Sequence, residues 1–160
     1  MRLAKPTSNL FRSRVTTGPG LDVSGLTGVL QVDPASRTAD VAGMCTYENL
    51  IAATLPHGLT PLVVPQLKTI TLGGAVSGLG IEAASFRNGL PHESVLELDV
   101  LTCTGDILTV AAGDQLFDGF PHSSGPLASS TRPRIDPDPP RPTLALPPRL
   151  SHDPRRYGPP

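Results

Sequence analysis

The sequence predicts an α+β fold up to about residue 120, and three observations predict it. Short alternating apolar runs come in adjacent pairs joined by turn residues, as antiparallel hairpins require. A capped stretch with its apolar residues on one side falls between those pairs, so the order of elements is not a run of βαβ units. Proline is sparse before residue 120 and crowded after it. Of the 19 prolines, 12 lie between Pro121 and Pro160, and so many missing N–H groups end regular structure there.

In chain order, Gly28–Asp33 reads as a strand, Asp33-Pro34-Ala35-Ser36 as a turn, and Thr38–Ala42 as the returning strand. Thr46 is an N-cap candidate for a helix that carries Leu50, Ile51 and Leu55 and closes at His57-Gly58. Leu62-Val63-Val64 reads as a short strand ending at Pro65. Thr69–Leu72 reads as a β-rich segment running into paired glycines. A longer strand is expected from Ser94 to Thr102, with Val95, Leu96, Leu98, Val100 and Leu101 covered and Glu93 at its entry. Thr104-Gly105-Asp106 then turns the chain into Ile107–Val110. Segments such as Pro137-Asp138-Pro139-Pro140 favour extended, solvated backbone. The last 30 or so residues therefore read as disordered, with an SH3-type ligand as the competing reading of their Pro-x-x-Pro spacings.

The totals remove several classes of function. A chain of 160 residues can bury one modest core. Its 13 basic and 14 acidic residues nearly cancel, so nothing draws it to nucleic acid or anionic lipid. Four Phe, two Tyr and no Trp leave little to stack on bases. No apolar run reaches the ~18 residues of a membrane helix, and the N-terminus lacks the apolar stretch of a secretory signal. Cys45 and Cys103 form no CxxC and have no zinc-ligand spacing, which favours buried or partly buried free thiols in a reducing, cytoplasmic compartment over the competing reading, a disulfide between the two. His57, His92, His122 and His152 are scattered, and His57 and His92 each follow a proline in an expected surface loop. No serine lies in a Gly-x-Ser-x-Gly elbow.

The informative stretch runs from Pro65 to Glu82 and contains Thr71-Leu72-Gly73-Gly74 and Gly78-Leu79-Gly80. Glycines in a turn let backbone amides face a ligand, and a helix that follows would favour a phosphate. The competing reading is tight packing between strand and helix. Neither a dinucleotide fingerprint nor a P-loop is present.

Taken as an ordered set, Leu62–Leu67, Thr69–Gly74, Gly80–Ser85, Arg87-Asn88-Gly89, the Ser94–Val110 hairpin and Gly113–Phe117 resemble the PCMH-type FAD-binding domain of vanillyl-alcohol-oxidase-type, FAD-linked oxidases. Within that family the likeness is to the 24-dehydrocholesterol (delta24-sterol) reductase-like branch. It covers residues 1–120 and, more faintly, 121–136. The resemblance implies two α/β subdomains with FAD between them. Carried over by position, Pro65, Gln66, Thr71, Gly73, Gly74, Gly78, Gly80, Ile81 and Glu82 would line the flavin site, with Ser85, Asn88 and Gly89 contributing from the next turn. Lys5, Thr7, Ser8 and Asn9 fall near a phosphate-contacting loop.

The implied chemistry is hydride transfer through FAD, either oxidising a substrate or reducing a sterol-type double bond. No histidine or cysteine stands at an attachment position, so FAD is expected to be non-covalent. Residues 1–120 would be a partial FAD-binding domain, 121–136 its degenerate end and 137–160 a disordered Pro/Arg-rich tail. Pro133 is expected to interrupt the final strand. The substrate domain is missing from this pattern, so a small-molecule or sterol-like substrate is expected only in its company. A non-catalytic truncated remnant or partner subunit is the alternative.

Overall fold

The computed structural model describes residues 20–123 and 128–140, together with the backbone of residues 3–4. Lys5, Thr7, Ser8, Asn9 and most of the proline-rich tail lie outside the described residues. Two strands, β1 (Leu3–Ala4) and β2 (Leu21–Asp22), pair in parallel. A five-stranded sheet comprises β3 (Val29–Asp33), β4 (Thr38–Val41), β5 (Val95–Thr102), β6 (Ile107–Ala111) and β7 (Ala128–Ile135). Its spatial order is β3-β4-β7-β5-β6, with every pair of neighbours antiparallel. Four helices connect or flank these strands: α1 (Tyr47–Thr54), α2 (Leu72–Gly78), α3 (Ser85–Asn88) and α4 (Gln115–Gly119).

The two hairpins close through the turn residues that the sequence points to. Asp33 Oδ1 accepts the Ala35 N–H at 2.9 Å, and Ser36 Oγ donates to Asp33 Oδ2 at 2.7 Å, the Asx arrangement that holds a tight turn. At the β5–β6 turn Thr104 Oγ1 donates to Asp106 Oδ2 at 2.7 Å, and Gly105 adopts φ +94°. Thr46 caps α1 by accepting the Asn49 N–H on its Oγ1. A 3-10 turn over Leu55–His57 extends α1, and Gly58 stops it in the left-handed region.

One face of the sheet builds the core. Ala39, Val41, Val95, Leu98, Val100, Val110, Ala128 and Ile135 meet Tyr47 and Leu50 of α1, Leu72, Ala75 and Val76 of α2, and Phe120. The intervening residues Asp40, Glu97, Asp99, Arg132 and Arg134 point the other way, as the two-residue strand period demands. On that outer face Arg132 donates to Asp99 Oδ2 at 2.6 Å, to Glu97 Oε1 at 2.7 Å and to Asp40, while Arg134 reaches Asp40 Oδ2 at 2.9 Å.

Four expectations are corrected. Pro133 does not interrupt the last strand. It lies inside β7, buried, opposite Leu98. Seven residue pairs join β7 to β5, whereas pairing with β4 is confined to the Arg134 and Ile135 positions beyond the proline. One missing N–H is tolerated there, and the flanking arginines add charged contacts on both sides. Leu62–Val64 is not a strand, because Pro61 and Pro65 bracket it and it lies outside both sheets. The β-rich segment before the glycines reduces to a bridge between Thr46 and Thr71, and Gly73 and Gly74 are inside α2 rather than in a turn before it. Glu93 belongs to a 3-10 turn over Pro91–Ser94, where its Oε2 accepts the Leu90 N–H at 2.6 Å.

Three smaller departures follow from local geometry. Leu96 is exposed because a register irregularity between Val95 and Glu97 turns it outward. Cys103 is exposed at the β5–β6 turn. Pro137 is buried and Asp138 exchanges two backbone hydrogen bonds with Thr60, so ordered chain continues into the stretch expected to be disordered.

Candidate functional site

Glycine is a poor helix former, so α2 depends on tertiary fastening. The Leu72 N–H donates to the Cys45 carbonyl and the Gly73 N–H to the Gly43 carbonyl, both at 2.9 Å. The Gly74 N–H reaches Thr71 Oγ1 at 3.3 Å, and the Ala75 N–H reaches the Thr71 carbonyl. Gly73 is buried against Gly43 so closely that a Cβ on it would stand 2.7 Å from the Gly43 oxygen. Close packing therefore accounts for Gly73, and all four N–H groups at the start of α2 have protein acceptors.

The other end of α2, roughly 10 Å away at 1.5 Å per residue, is arranged differently. A Cβ on Gly78 would meet nothing within 4 Å. Leu79 takes the left-handed conformation at φ +55°, and the chain leaves the helix through Gly80. Ile81 is then 74% exposed and Phe86 91% exposed, high values for large apolar side chains, and the two lie five residues apart in the sequence. Two hydrogen bonds tie this loop to the segment that precedes α2. The Gln66 N–H donates to Glu82 Oε2 at 3.3 Å, and Asn88 Nδ2 donates to the Leu62 carbonyl at 2.7 Å. The Glu82 N–H donates to Ser85 Oγ at 3.0 Å. Gly89, at φ +75°, redirects the chain into the Pro91–Ser94 turn.

The predicted site residues thus divide into two groups. Gln66, Glu82, Ser85 and Asn88 make the hydrogen bonds that fasten the loop after α2, on which Gly80 and Ile81 also lie, and Gly78 ends α2. Pro65 is buried and Gly89 half-buried. Thr71, Gly73 and Gly74 belong to the capping and packing of α2. Sequence reasoning missed Phe86 and Tyr47. Phe86 carries a signal in hindsight, being one of only four Phe in the chain. Tyr47 is buried, and burial first and the Glu82 carboxylate second push its phenol above its ordinary range.

Other groups are unsuited to chemistry. Burial pushes the Cys45 thiol up to about 11, leaving it protonated and inert at neutral pH. His57 is exposed, while His92 is half-buried with a covered Nδ1 that has no partner among the described residues. Among the described residues no cluster of His, Cys, Asp and Glu could hold a metal ion, and no helix is long and apolar enough to cross a membrane. A shallow depression of about 270 Å³ is lined by Leu30, Gln31, Asp40, Arg132 and Arg134 on the outer face of the sheet, with its charges already paired.

The class of fold is α+β, a five-stranded antiparallel sheet with a glycine-bearing helix packed on one face. Comparison with known proteins gives the family. A model of the FAD binding domain matches residues 6–111, and the chain belongs to that family. Cytokinin dehydrogenase 2 of Oryza sativa subsp. japonica is 35% identical over 108 residues, which is 66% of this chain and 19% of the relative. Delta(24)-sterol reductase of Pisum sativum is 27% identical over 110 residues, 67% of this chain and 19% of the relative. The chain therefore spans about a fifth of the length of these curated relatives. The crystal structure of 6-hydroxy-D-nicotine oxidase from Arthrobacter nicotinovorans superposes with a TM-score of 0.67 at 18% identity, covering 74% of this chain and 26% of that one, and shows the same fold.

Proposed function

We propose that the chain binds FAD non-covalently as the flavin-holding part of an oxidoreductase that passes hydride through the flavin. The observation that carries this reading is the pair of hydrogen bonds, Gln66–Glu82 and Asn88–Leu62, that fasten the loop after α2 to the segment before it within a chain of the FAD-binding family. The residues suit the ring part of the group. Gly78 leaves open space, and the exposed Ile81 and Phe86 offer apolar surface that a planar ring would cover. They do not suit a pyrophosphate at the start of α2, whose amides are committed to Gly43, Cys45 and Thr71.

When bound, FAD would supply the two-electron chemistry, and this chain's residues would hold and shield it. Ile81 and Phe86 would exclude water from one side. The Gln66–Glu82 and Asn88–Leu62 hydrogen bonds would keep the two loops in fixed relation, so that the ring has one orientation. An oxidase-like or sterol-reductase-like substrate would be handled only together with a substrate-binding domain. A cytoplasmic location belongs to the same proposal, supported by the buried, free Cys45 thiol.

The exposed Phe86 favours a second reading, a subunit that keeps the fold and docks elsewhere without turnover. Adding FAD to the purified chain, removing the excess and recording visible absorption and flavin fluorescence separates the two. Retained flavin with a shifted spectrum is expected. Colourless protein would overturn the proposal in favour of the second reading.

A further inference from the structure

We propose that the open edge of β6 is a self-association site, where a second copy of this chain adds its own β6 antiparallel and two five-stranded sheets become one. The inference is independent of flavin binding. Hydrogen bonds at the two ends of β6 fix which of its backbone groups face outward. At the turn, the Thr102 N–H donates to the Asp106 carbonyl at 2.9 Å, so these two residues form a hydrogen-bonded pair. Counting in twos along the ladder, Leu108 and Val110 bond to β5, while Ile107, Thr109 and Ala111 turn their N–H and C=O groups away from it. The far end agrees. There the Ala111 N–H donates to Asp114 Oδ2 at 2.9 Å, and the Ala111 carbonyl accepts the Asp114 N–H at 3.0 Å. Because β6 is the last strand of the sheet, the outward groups of Ile107 and Thr109 have no partner among the described residues.

The usual protections of a sheet edge are missing from this strand. Ile107–Ala111 holds neither proline nor charge, and its ladder to β5 is regular, whereas the opposite edge strand β3 has a register shift between Val29 and Gln31. Ile107 is 66% exposed and Leu108 44%. The edge also complements itself, which names the occupant. A two-fold axis at Leu108 sets Ile107 of each copy opposite Thr109 of the other, so that every outward group of both residues is paired. Leu108 then meets its counterpart in the close, non-hydrogen-bonded position, and each covers the other's apolar surface. An axis at Thr109 would instead call on Ala111, whose groups Asp114 already holds, so Asp114 selects the register. Opposite Ala111 in the selected register stands Gly105, which has no side chain to strike that cap. The carboxylates nearest the seam each hold a donor of their own chain, Asp106 the Thr104 hydroxyl and Asp114 the Ala111 N–H. So short a seam makes a weak dimer, populated as concentration rises.

Sedimentation equilibrium of the full chain over a concentration series tests this. The parent is expected to pass from monomer to dimer and stop there, since a two-fold edge contact closes on itself. Ile107→Pro removes the N–H that each copy donates to the other's Thr109 carbonyl, at the first residue of a strand, where proline is tolerated. It is expected to weaken association by about tenfold or more, with the far-UV circular dichroism of the dilute protein unchanged. A second pair of variants reads the register, in a Cys103→Ser background with oxidised glutathione as electron acceptor; Cys45 is buried and stays out of the reaction. Leu108→Cys is expected to form a disulfide between copies, because a close antiparallel pair sets its Cα atoms about 4.5 Å apart. Thr109→Cys lies two positions from its counterpart and should crosslink about fivefold more slowly or worse. A parent chain still monomeric at about 1 mM overturns the proposal, as does growth beyond a dimer. A dimer of parental strength in folded Ile107→Pro overturns it too. Should Ile107→Pro fail to fold, the cysteine pair decides, and equal crosslinking of the two variants overturns the proposal.

Discussion

Three glycines around α2 form a graded series for a single perturbation, replacement by alanine. At Gly73 the new Cβ would stand 2.7 Å from the Gly43 oxygen and 3.3 Å from two further backbone atoms of Gly43. Backbone cannot rotate aside as a side chain can, so overpacking of about 1–3 kcal/mol is expected. Better helix propensity returns up to about 1 kcal/mol, leaving Gly73→Ala destabilised by about 1–2 kcal/mol. At Gly43 the Cβ would lie 2.0 Å from the Ser130 oxygen and 2.9 Å from its carbonyl carbon, which forces β7 away from the turn after β4 and costs more than ~3 kcal/mol. At Gly78 nothing lies within 4 Å, so alanine contributes about 0.5 kcal/mol of stability through propensity alone. Thermal unfolding followed by far-UV circular dichroism reads the series, at about 4 °C per kcal/mol for a domain of this size. The expected order of midpoints is Gly78→Ala, parent, Gly73→Ala, Gly43→Ala. A Gly73→Ala protein as stable as the parent, or a Gly78→Ala protein as damaged as Gly73→Ala, would refute the assignment of Gly73 to packing.

Two further outcomes follow from the charged face and the helix cap. Arg132→Met strands Asp99 and leaves Asp40 and Glu97 with Arg134 alone, and urea unfolding at pH 7 should show a loss of about 2 kcal/mol, discounted from a fully buried pair because these groups are partly solvated. The hydrogen bond from Arg132 outweighs burial to hold Asp99 below its ordinary 3.8, and at Asp40 burial opposes but Arg134 and Arg132 prevail. A depressed carboxylate contributes stability above its unfolded value and loses it as pH falls through the folded one. The gap between parent and Arg132→Met should therefore narrow below about pH 4. Thr46→Ala removes the acceptor of the Asn49 N–H and should cost about 1 kcal/mol in urea unfolding, with Thr46→Ser close to the parent.

The hairpins and the Thr46 cap were legible in the sequence because each is decided by neighbours a few residues away: alternation with period two, an Asx turn, a hydroxyl three residues from its donor. The helix over Leu72–Gly78 was not, since its propensity is poor and its fastening comes from the Gly43 and Cys45 carbonyls. Leu62–Val64 has the composition of a strand but lies between two prolines and outside both sheets. Pro133 breaks a local rule that holds on average, and is carried by the ladder to β5 and by its arginine neighbours. The candidate site was half legible. Its residue types and glycines stood out, but the meeting of Gln66 with Glu82 across α2 follows from the path of the chain and from no spacing.

The sheet order β3-β4-β7-β5-β6 also imposes a timetable on folding. Each hairpin is local and forms early, but the two halves of the sheet join only through β7, the last strand made. Until residues 128–135 have emerged from the ribosome, β4 and β5 each present an open inner edge, the state in which strands recruit strands from other chains. The arginine-bearing face of β7 thus does more than stabilise the finished sheet: its threefold carboxylate contacts reward the one register that closes it.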